Sequence, residues 1–67
     1  MQAEATARLT ELLREVDRHR DAIREFGLAG YVTMVEKHRK DLGAVLTEIR
    51  AHCREHSLPL PEGVPTE

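Results

Sequence analysis

The chain of 67 residues contains no tryptophan, one phenylalanine and one tyrosine. So few rings leave little to stack on nucleobases, and ten Lys and Arg against twelve Asp and Glu give no basic excess. Nucleic acid is therefore disfavoured as a partner. A lone cysteine, Cys53, excludes an internal disulfide. No apolar run approaches the roughly 20 residues that a membrane-spanning helix needs. The Met-Gln-Ala-Glu-Ala start also lacks the apolar stretch of a secretory signal, so no membrane association and a reducing, cytoplasmic location are expected. The length excludes a multi-domain enzyme. There is no glycine-rich phosphate loop, and Ser57 and Cys53 have no partners at triad spacing. No enzymatic activity, catalytic residue or cofactor is expected.

What the chain does have is charge and heptad-like patterning, with 33% charged and 40% hydrophobic residues. Ala5, Leu9, Leu12, Val16, Ile23 and Phe26 recur at the alternating three-and-four spacing of a helical seam, broken by His19. Leu13 widens the stripe. A second segment repeats the pattern at Leu28, Tyr31, Val35, Leu42, Val45 and Ile49, with Val32, Leu46 and Cys53 on an adjoining column and His38, His52 and His56 on the seam. Gly27 and Gly30 separate the two segments: Gly27 can take the left-handed conformation that closes a helix, and Gly30 can loosen the start of the next. The expected fold is all-α: an antiparallel hairpin over 1–56, with helix 1 about 3–26, a turn about 27–30 centred near Leu28, and helix 2 about 31–56.

Beyond His56 all three prolines crowd into one stretch, so 57–67 is expected to be an extended or disordered tail. Its Leu-Pro-Leu-Pro run has the alternative use of docking in a partner's groove. Two helices side by side bury only part of so wide a stripe. The hairpin is therefore expected to homodimerise into a four-helix bundle through Leu9, Leu12, Leu13, Val16, Ile23, Phe26, Val35, Leu42, Val45, Leu46 and Ile49. Gly43, Thr47 and Ala51, spaced at i, i+4, i+8 away from the seam, form a small-residue stripe that would permit close approach of another helix.

The two segments also resemble each other at an offset of nineteen residues, so that each carries Val-acid-base-His-Arg, at 16–20 and 35–39. A turn near Leu28 sets positions 19 and 38 at one height. His19, Arg20, His38 and Arg39 then form a polar layer in an apolar bundle, which admits three uses. It can enforce register, as a buried polar residue does in coiled coils. It can bind an anion or an acidic partner through the arginines. It can also hold a metal or haem between facing histidines. His52, Cys53 and His56 are a weaker metal-ligating set, more simply read as favourable cations at a helix C-terminus.

The layout is similar to other small signalling and RNA-binding hairpins, but their motifs are missing. In particular, Val35-Glu36-Lys37-His38-Arg39-Lys40-Asp41-Leu42 lacks the phosphoacceptor signature of two-component signalling. The leading functional expectation is a non-enzymatic homodimeric adaptor or regulator that binds another, unidentified protein. The alternative is a small ligand-binding bundle that uses the His/Arg layer for an anion or metal. An RNA-binding hairpin using Arg14, Arg18, Arg24 and Arg50 is disfavoured by the nearly neutral body.

Overall fold

The structure, a computed structural model, describes residues 2–66; Met1 and Glu67, the outer limits of the two expected segments, lie outside the described residues. Helix α1 runs Gln2–Ala29 and helix α2 Val32–Glu55, and they pack against each other as an antiparallel hairpin. The 28 residues of α1, each rising about 1.5 Å, account for the 43 Å long axis of the molecule.

The turn lies later than the sequence suggests. Gly27 stays helical, and the left-handed residue is Gly30, with φ of 82°. The Gly30 amide donates to the Gly27 carbonyl at 3.2 Å and the Tyr31 amide to the Phe26 carbonyl at 2.9 Å. These two bonds define a Schellman cap, which normally brings the residue after the glycine against the one five places earlier. Here those two residues are Tyr31 and Phe26, whose rings meet edge to face at 6.0 Å between centroids. Stopping at Gly30 gains this aromatic contact; stopping at Gly27 would set Leu28 against Ile23 instead. As a result Leu28 and Tyr31, assigned above to the second seam, and Val32, assigned to its adjoining column, sit at the tip and are 86%, 60% and 67% exposed.

The same device ends α2. Ser57 takes a positive φ of 55°, its amide donates to the Arg54 carbonyl at 3.4 Å, and the Leu58 amide donates to the Cys53 carbonyl at 2.8 Å. A non-glycine residue in this region is costly, so the cap holds Ser57 in a strained conformation.

That second cap points the chain back along the hairpin, and the tail is not a frayed end. Leu58 and Leu60 pack on the core and Val64 is buried in it. Gly63, with φ of 85°, permits the turn in which the Val64 amide donates to the Pro61 carbonyl at 3.3 Å. Arg20 reaches the Gly63 carbonyl at 3.3 Å and Arg50 the Pro65 carbonyl at 3.2 Å, one from each helix. The prolines forbid helix in this segment but leave it free to lie in a groove, and its apolar residues supply the reason to do so. We call residues 58–66 the strap.

The core follows from this arrangement. Leu12, Val16, Val45, Ile49, Cys53 and Val64 form one buried cluster, in which Leu12 and Ile49 are 1% and 0% exposed. Leu9, Leu13, Leu42 and Leu46 are half-buried against it. Ile23, Phe26 and Val35 are half-buried nearer the turn. At the widened edge of the stripe, expected to be covered by a second hairpin, Cys53 shares a cleft with Leu58 and Leu60 of the strap, and Leu13 and Leu46 pack on the same core. No helix among the described residues is long and apolar enough to cross a membrane.

Candidate functional site

His19 on α1 and His38 on α2 meet in the half of the hairpin nearer the turn, as expected, although the turn lies later than the equal-height reading assumes. Their Nδ1 atoms are 3.0 Å apart and the rings tilt at 50°. At that distance the Nδ1–H of one ring donates to the Nδ1 lone pair of the other. Phe26 lies nearly parallel to the His38 ring, at 14° and 5.7 Å between centroids, and so fixes that ring's orientation. Both histidines are half-buried rather than enclosed.

Asp41 completes the cluster. It follows His38 by three positions and therefore projects from the same side of α2. Its carboxylate and one nitrogen of each imidazole lie within 4.8 Å of one another, the only group of three or more metal-ligating side chains so converged among the described residues. The Lys37 ammonium donates to Asp41 Oδ2 at 3.1 Å and holds the carboxyl below its ordinary value; the two imidazoles add to that effect and partial burial opposes it. An open groove of about 380 Å³, lined by Glu15, Arg18, His19 and His38, leads to the pair. No strap residue lines it.

The arginines do not join the layer. Arg20 turns to the strap and Arg39 is exposed, because each follows its histidine by one residue and so lies about 100° further round its helix. The layer is thus a His/His/Asp cluster without Arg20 and Arg39, and the guanidinium that lines its groove is that of Arg18, beside Glu15.

The second set is not assembled either. Cys53 faces the core, where burial pushes its thiol above the ordinary value. His52 Nε2 is 2.7 Å from the Ala5 carbonyl and donates to it, tying the end of α2 to the start of α1. The His52 and His56 rings lie 4.6 Å apart, with His56 exposed. Gly43, Thr47 and Ala51 are exposed, and Thr47 donates to the Gly43 carbonyl at 3.0 Å.

Neither Asp41 nor Glu15 is placed beside the histidines in the sequence reading above. Both stand one helical turn from a seam histidine, at i+3 from His38 and i−4 from His19, and that spacing is the signal that finds them. No protein-family model matches the chain, and neither does any curated protein or solved structure.

Proposed function

We propose that the chain is a non-enzymatic, cytoplasmic interaction module that works through the apolar groove between its helices, and that a second copy of the chain and its own strap compete for that groove. The observation that carries this reading is the occupancy of the groove: Leu58, Leu60 and Val64 pack on the hairpin that Leu9, Leu13, Leu42 and Leu46 flank. Those four leucines belong to the heptad stripe, whose regular spacing makes it complementary to another copy of itself. The strap is a poor permanent lid. It is short, joined through the strained Ser57, and held to the helices' polar groups by two arginine bonds longer than 3 Å. Opening it exposes a face that a four-helix bundle would bury.

The test uses the full chain with the strap released by Leu58→Asp, Leu60→Asp and Val64→Asp together. Sedimentation equilibrium at tens of micromolar should give the released variant close to twice the monomer mass and the parent chain a smaller average mass at equal concentration. A released variant that keeps its helical circular dichroism and stays monomeric contradicts the proposal.

A further inference from the structure

We propose that His19, His38 and Asp41 form a binding site for one divalent late first-row transition-metal ion, zinc in the first instance, bridging α1 and α2. The site is separate from the strap groove and independent of the self-association reading.

The geometry carries the argument. Two imidazole nitrogens bound to one tetrahedral zinc at about 2.0–2.1 Å stand about 3.3 Å apart. Here two imidazole nitrogens stand 3.0 Å apart before any ion is considered, facing each other across the helix interface. A hydrogen-bonded pair that merely set the register of the helices would need no carboxylate, yet a carboxylate oxygen of Asp41 lies within 4.8 Å of one nitrogen of each imidazole. Two histidines from facing helices, one carrying a carboxylate at i+3, repeat the way helical bundles build metal sites from side chains one turn apart.

The donor set is two nitrogens and one oxygen, which suits zinc and its neighbours better than calcium or magnesium, since those favour all-oxygen shells. Electrostatics agree with a cation. Asp41 is ionised at neutral pH, and Glu15 lines the approach groove, where it offsets Arg18. The contact that Asp41 must give up is with Lys37, a side chain 62% exposed whose ammonium water readily satisfies. Three protein ligands leave a fourth position open towards the groove, for water or for a donor from another molecule.

Calorimetric titration of the full, untagged chain with zinc chloride in a non-chelating buffer should show one equivalent bound. His19→Gln and Asp41→Asn should each weaken binding at least about 10-fold, on the scale by which even outer-shell changes alter metal sites. The paired substitution of His52→Gln and His56→Gln should leave it unchanged. In the unaltered chain, the ring signals of His19 and His38 should shift on zinc addition while those of His52 and His56 stay in place. Absence of binding overturns the proposal. So does binding that survives both His19→Gln and Asp41→Asn, or zinc-induced shifts confined to His52 and His56.

Discussion

Val64→Asp isolates the strap from the rest of the fold, and Cys53 supplies a built-in reporter. The Val64 side chain is 8% exposed and anchors the far end of the strap, while Leu58 and Leu60 line a shallow cleft together with Cys53. Complete burial of a valine contributes about 1.5–3 kcal/mol, and an aspartate at the same place forfeits that and sets a carboxylate against apolar atoms. Taking 2–3 kcal/mol for the sum, and tenfold for each 1.4 kcal/mol, the open-strap population should rise about 30- to 140-fold. The helices lose few contacts, so their circular dichroism and urea midpoint should move far less than a global unfolding of that size requires. Cys53 is 3% exposed with the strap seated, so a disulfide reagent reaches it only after local opening. At pH 8 and fixed reagent, the labelling rate of Val64→Asp should exceed that of the parent by roughly the same factor. Equal rates would refute the assignment of the strap as the cover of Cys53. A rate that rises only in step with loss of helical signal would show that strap and helices open as one unit.

Two further predictions follow from the caps and from the thiol. Ala at Gly27 meets only Val35 Cγ2, at an ordinary 3.9 Å, in regular helix, so Gly27→Ala should stabilise by about 0.5–1 kcal/mol. Gly30→Ala, at φ of 82°, should destabilise by about 1–2 kcal/mol, and Ser57→Gly should stabilise by up to about 1 kcal/mol; urea melts of the three variants check all of these. Burial raises the Cys53 pKa in the folded chain, so the contribution of the neutral thiol is intact below the unfolded thiol value and is lost as pH rises through the folded one. Stability should therefore fall on the alkaline side of the ordinary thiol range, and Cys53→Ala should flatten that decline in melts taken from pH 7 to 10.

The helices and the level of the two histidines were legible in the sequence because both rest on periodicity. Leu12, Val16, Val45 and Ile49 recur at the spacing that turns one side of each helix inward, and the nineteen-residue repeat relates His19 to His38 across the turn. Local rules failed where a distant contact decided. Position alone favours Gly27 as the closing residue, but the contact between Phe26 and Tyr31 selects Gly30. The prolines of the tail argue against helix, but whether such a segment frays or docks depends on whether a groove waits for it. The apolar column of Leu13, Leu46 and Cys53 beyond a simple seam suggests a cover of some kind, which the sequence reading assigns to a second hairpin and not to the tail. Arg20 and Arg39 were grouped with their neighbouring histidines by adjacency, although a step of one residue on a helix changes the face. Asp41 lay at the more telling interval of three.

The strap lies in the groove of its own chain, and methyl nuclear Overhauser contacts test that directly. In a dilute mixture of isotopically labelled and unlabelled protein, filtered spectra should show Val64 methyls close to Ile49 and Cys53 within one chain, with no such contacts between chains. Val64 signals that are sharp and lack core contacts, or contacts found only between chains, would contradict it.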